Sequence, residues 1–134
     1  MNCIRRFGAF AVFPRCRSMS SMANNTIFSL SSGFGKCGVA IIRVSGPQIR
    51  EVLRLLTGNR PHQKDAVPSR ETLRPRYAHL RELRHPHTRD LIDRGLVLWF
   101  PEPASFTGED CCEFQVHGGL AVISAMCDAL NSIN

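Results

Sequence analysis

Val39–Gly58 reads VAIIRVSGPQIREVLRLLTG, and the period of its apolar residues changes once along the way. Val39 to Val44 is β-branched on both faces, which is the composition of a buried strand. After Ser45–Gly46, Pro47 suits a first helical position, and Ile49, Val52, Leu53 and Leu56 recur at helical spacing. Gly58 stands where a helix takes its left-handed cap. A buried strand feeding an amphipathic helix is the seed of a domain in which helices cover a sheet.

Working outward, Thr26–Ser32 (TIFSLSS) predicts a short strand, joined to the first by the glycine-rich turn GFGKCG. Downstream, Asn59–Pro75 is polar and broken by Pro61, Pro68 and Pro75, which predicts a surface loop. Arg76–Leu83 predicts a strand, HPHTRDLID from His85 to Asp93 a turn, and GLVLWF a strong strand ending at Pro101. PEPASFTGED is a loop and CCEFQV, from Cys111, alternates as a strand. The segment from Gly118 then places Leu120, Ile123, Met126, Cys127 and Leu130 on one helical face. This order predicts an α+β two-layer sandwich: a mainly antiparallel sheet with helices on one face.

A chain of 134 residues fits one domain, and 43% apolar residues suffice for one core. The net charge is +6, but it is concentrated at the front. Met1–Asn25 carries Arg5, Arg6, Arg15 and Arg17, and the first acid in the chain is Glu51. Arginines interleaved with apolar residues and followed by serines make the pattern of a mitochondrial transit peptide, with a disordered basic tail as the alternative. Without those four arginines the charge falls from +6 to +2, too little to argue for direct tRNA binding. Six cysteines, two of them vicinal at Cys111–Cys112, suit free thiols better than a disulfide framework. No apolar run is long enough to cross a bilayer, so no membrane partner is expected.

Gly33, Gly35 and Gly38 match G-x-G-x-x-G, but a dinucleotide fingerprint opens a helix, and here a strand follows. A P-loop ends in Gly-Lys and a hydroxyl residue, whereas Gly35–Lys36 is followed by Cys37. No GTP site is therefore expected in these residues. No C-x-x-C or H-x-x-x-H pair supports a metal site. Two charges stand out. Arg43 interrupts an apolar strand on the face of Val39 and Ile41, where a guanidinium needs anions or carbonyls around it. Glu113 lies mid-strand on the face of Cys111 and Gln115. The pair admits a functional reading and a structural one, as an ion pair or exposed edge. His117–Gly118–Gly119 opens the last helix, either to hold an anion on backbone N–H groups or to permit close packing.

Taken together, TIFSLSSGFGKCGVAIIRVSGP and LVLWFPEPASFTGEDCCEFQVHGG resemble the N-terminal domain of the MnmE/TrmE tRNA modification GTPases, in their mitochondrial form. The resemblance covers about Thr26 to Asn134, interrupted by the variable Asn59–Pro75 loop. It implies a domain that binds 5-formyltetrahydrofolate and forms homodimers. The family's full-length proteins work with a GidA/MnmG-type flavoprotein on wobble uridines of tRNA, in mitochondria a taurinomethyl modification in the matrix. By motif, the folate contacts fall on Arg43 and Glu113, and less firmly on Gly35, Gly38, His117 and Gly118. The chain stops before the family's P-G-E-F and N-G-K segments, its GTPase domain and its catalytic cysteine. The fold is accordingly expected to be C-terminally incomplete, with no catalytic residue, no GTP hydrolysis and weakened folate binding. The competing readings are a dimerisation scaffold without folate and a folate-dependent one-carbon transferase or assembly factor.

Overall fold

The computed structural model describes residues 25–133 apart from Phe34, Lys36 and residues 59–72. The transit-peptide expectation and most of the predicted Asn59–Pro75 loop lie outside the described residues. Seven elements follow in the order β1 (Ile27–Leu30), β2 (Val39–Ser45), α1 (Ile49–Thr57), β3 (His79–Arg84), β4 (Leu91–Phe100), β5 (Cys111–His117) and α2 (Leu120–Asn131). The strands form one sheet in the order β1-β2-β5-β4-β3, and all four neighbouring pairs are antiparallel. The α+β expectation holds. No helix among the described residues is long and apolar enough to cross a membrane.

The central pairing is between strands distant in sequence. β5 inserts between β2 and β4, so Ile42 faces Phe114 on one side and Phe114 faces Val97 on the other. Ala40, Ile42, Val44, Cys112, Phe114, Val116, Val97 and Trp99 thus share the covered face. They merge with Val52, Leu53 and Leu56 of α1 and Ile123, Met126 and Leu130 of α2 into one core. All four predicted apolar positions of α1 are fully buried. At about 2 kcal/mol for each buried aliphatic side chain, that burial sustains a helix of nine residues, too short to persist alone. Gly58 caps it in the left-handed conformation, its N–H donating to the Arg54 carbonyl.

Four expectations need correction. The third strand begins at His79 rather than Arg76, because Arg76 takes a left-handed conformation and its N–H and guanidinium bond the Trp99 and Ala104 carbonyls. The predicted turn closes early: His85 and Asp90 pair through backbone, and Leu91 to Asp93 continue as strand opposite β3. Leu73, within the segment read as surface loop, is fully buried in the core. Leu120 is 61% exposed, so the buried stripe of α2 starts at Ile123.

Candidate ligand site on the uncovered sheet face

Strand alternation sends Val39, Ile41 and Arg43 to the face away from the helices, and Glu113 and Gln115 with them. Register then does what sequence spacing cannot: Arg43 and Glu113 are direct cross-strand partners. The guanidinium donates from Nε at 3.0 Å and Nη2 at 2.6 Å, both to Glu113 Oε1. Glu113 is only 8% exposed, and Oε2 has no protein donor among the described residues. Such a carboxylate is oriented by one partner and retains acceptor capacity for another.

The loop between β4 and β5 completes the surroundings. Phe106, 70% exposed, lays its ring 4.4 Å from the centre of the Arg43 guanidinium, a cation–π contact, and meets Phe100 edge to face. The hydroxyls of Thr107 and Ser45 bond at 2.7 Å, tying the loop to β2. Asp110 anchors the loop's ends: Oδ1 accepts from the Glu102 N–H at 2.9 Å, and Oδ2 from Arg50 Nε at 3.2 Å. Arg50 in turn lies over Trp99. Phe106 and Asp110 escaped individual assignment, although both sit inside the FTGED run that carries the resemblance.

Cys111 is buried beside this pair. Burial pushes its thiol above the ordinary range, Arg43 opposes that, and Glu113 adds to it. A thiol held protonated is a poor nucleophile. The group thus brings together an acceptor oxygen, a fixed cation and an exposed aromatic ring.

The weaker candidates fall elsewhere. His117 pairs with Val39, four residues along β5 from Glu113, or roughly 13 Å at strand rise. Its N–H donates to Asp93 Oδ2 and its Nδ1 bonds Asp93 Oδ1, both at 2.8 Å. Burial alone would raise the Asp93 carboxyl, but the His117 backbone and side-chain hydrogen bonds, with the Arg94 N–H, outweigh it and hold the carboxyl below its ordinary pKa. Asp93 was missed because DLID was read as a turn; alternation extended through Leu91–Gly95 carries the signal. Gly118 donates to the Gly38 carbonyl at 3.3 Å, and an added Cβ there would collide with the Cys37 carbonyl. Gly35 has a left-handed φ of 114° and open space around it, as a turn glycine does. A hollow of about 210 Å³ lies at this end of the sheet, bordered by Arg94, Gln115 and His117; Arg43 and Glu113 do not line it.

Residues 26–133 match the family described as the GTP-binding protein TrmE N-terminus. The chain is 54% identical over 110 residues to the mitochondrial 5-taurinomethyluridine tRNA synthase subunit GTPB3 of Danio rerio, covering 82% of this chain and 20% of the relative. With the human protein of the same name it shares 51% over 108 residues, 81% of this chain and 20% of the relative. With the tRNA modification GTPase MnmE of Rhizobium meliloti it shares 50% over 109 residues, 81% of this chain and 22% of the relative. It therefore spans about a fifth of the length of these curated relatives. The match over residues 26–133 places the chain in the TrmE N-terminal family of the tRNA modification GTPases.

Proposed function

We propose that this chain is the folate-binding, self-associating N-terminal domain of a mitochondrial tRNA modification GTPase, holding 5-formyltetrahydrofolate at Arg43 and Glu113. One observation carries the reading: Glu113 is nearly buried, with Oε1 taken twice by Arg43 and Oε2 left as an acceptor. A reduced pterin presents a ring N–H beside an exocyclic amino group, donors that such a carboxylate accepts. Arg43 fixes the carboxylate's orientation, and Phe106 offers a face against which a flat ring stacks. The folate, when bound, supplies a one-carbon unit. This chain's own part is to bind and orient it.

Self-association is supported by the same surface. Val39, Leu80 and Leu96 are exposed on the sheet face that no helix among the described residues covers, and Phe106 is exposed beside Arg43. A second copy laid on this face would bury that apolar area and roof the open Arg43–Glu113 pair. A mitochondrial setting is supported by the arginine-rich, acid-free first 25 residues and by the names of the zebrafish and human relatives. In that setting the parent protein modifies tRNA wobble uridine to its taurinomethyl form with a flavoprotein of the GidA/MnmG type.

Calorimetric titration with 5-formyltetrahydrofolate tests the ligand. Saturable binding is expected for the unmodified chain, weakened at least tenfold by Arg43→Ala and by Glu113→Gln. Affinities unchanged in both variants, or no saturation at millimolar ligand, overturn the folate reading. Sedimentation velocity tests the pairing of copies, with Val39→Lys expected to shift the population toward monomer.

A further inference from the structure

Residues 101–110, between β4 and β5, form neither helix nor strand, so the shape of this loop is imposed by side chains that hold it from outside. Asp110, 8% exposed, binds both ends of it: Oδ1 accepts from the Glu102 N–H at 2.9 Å and Oδ2 from Arg50 Nε of α1 at 3.2 Å. The Asp110 carbonyl takes the Gly46 N–H at 3.0 Å, which joins the loop to the β2–α1 connection. Arg76 holds the middle, donating from Nη2 to the Ala104 carbonyl at 2.7 Å. It does so from a left-handed backbone with φ 61°, an uncommon conformation for any residue but glycine. Thr107 is tied to Ser45. Phe106 itself touches little: its ring is 70% exposed, edge to face with Phe100 and against the Arg43 guanidinium. Its place is set by the residues on either side of it.

We propose that Asp110 is a positioning residue for the ligand site. By closing the loop on itself and on α1, it sets Phe106 against Arg43 and so fixes the aromatic face relative to the Glu113 acceptor. The inference rests on the folate reading above and deepens it: the site's aromatic wall is placed by a carboxylate outside the site. Both Asp110 oxygens bond the protein, so the residue acts on a ligand only through Phe106. A charged acceptor suits this task, because charge-assisted bonds to two donors from different elements hold a loop more firmly than neutral ones. Without that carboxylate the Glu102 end of the loop is released, and Phe106 is left free to leave Arg43.

A ligand-free measurement and a titration together distinguish failure of this inference from failure of the folate reading. The Arg43 Nε–H, held on Glu113, lies beside the Phe106 ring, so its proton resonance carries a ring-current shift that Phe106→Leu removes. Asp110→Ala is expected to remove that shift as well. Asp110→Asn, which keeps an acceptor for the Glu102 N–H, should retain part of it, and carries the test if the alanine variant does not fold. In titration with 5-formyltetrahydrofolate, Asp110→Ala should weaken binding about threefold to tenfold, the worth of an aromatic contact, and Asp110→Asn less. Neither should cost anything further in a Phe106→Ala background. An Arg43 resonance unmoved by both Asp110 variants overturns the positioning role and leaves the folate reading standing. An equal loss of affinity with and without Phe106 also overturns it, since a general loosening of the fold acts that way. If the unmodified chain does not saturate, the folate reading falls, and the Arg43 resonance still decides whether Asp110 places Phe106.

Discussion

Arg43 and Glu113, 70 positions apart in the chain, stand directly opposite one another in the β2–β5 register, and both bonds between them end on a single carboxylate oxygen. The partners are unequally buried. The Arg43 side chain is 35% exposed and that of Glu113 10%. Removing one partner is therefore not equivalent to removing the other.

Arg43→Met leaves a nearly buried carboxylate without its cation and is expected to cost about 2–3 kcal/mol. Glu113→Gln leaves an arginine that reaches water and keeps an acceptor, for about 1 kcal/mol. The double variant should cost less than the two added together, because no charge is then stranded. Urea unfolding of all four proteins measures this; equal single costs that simply add contradict it.

Gly118 and Gly119 are adjacent and should respond oppositely. Gly118→Ala drives a methyl into the Cys37 carbonyl, and a backbone shift of the β1–β2 connection is expected to cost about 1–3 kcal/mol. Gly119 is the N-cap of α2, with extended backbone angles and open space around it. Gly119→Ser supplies the capping oxygen that α2 lacks and should stabilise by a few tenths of a kcal/mol. Thermal midpoints of the two variants decide the matter.

Asp93 gives the domain an acid-sensitive joint. Its carboxyl is held below its ordinary pKa in the folded chain, so its contribution is fully present above the unfolded value of about 4. That contribution is lost as pH falls through the lower folded value. Asp93→Asn is expected to destabilise the chain by about 1–2 kcal/mol at pH 7 and to flatten the decline in stability between neutral pH and pH 3. A variant whose stability falls with acid as steeply as the parent's would show that Asp93 is not the group responsible.

The four described cysteines should separate by labelling rate. Cys37 is exposed, whereas Cys111, Cys112 and Cys127 are buried. The Cys112 thiol is pushed well above its ordinary range, first by burial and then by Cys111, Glu113 and Asp110. Brief iodoacetamide treatment of the native chain followed by peptide mapping is expected to mark Cys37 and spare Cys112. Early alkylation of Cys112 would show that the β5 core opens far more readily than its packing implies.

Local pattern was enough to read α1, its four buried residues and its glycine cap, because helical periodicity and capping are settled within a few neighbouring residues. The strands β2 and β5 were legible for the same reason, and with them the faces of Arg43 and Glu113. Boundaries failed where a distant partner intervened. Arg76 is held in a turn by the Trp99 and Ala104 carbonyls, and Leu73 is drawn into a core built by other elements. Asp93 acquired its role only through His117, 24 positions further on.

Alternation along a strand depends on each residue's own backbone, so the primary structure alone dictated which side chains leave the core and that helices would cover one face. Which strand lies beside which is a matter of long-range burial. β5 lies between β2 and β4, where Phe114 joins the core shared with both helices. That choice, invisible to any local window, set Arg43 against Glu113.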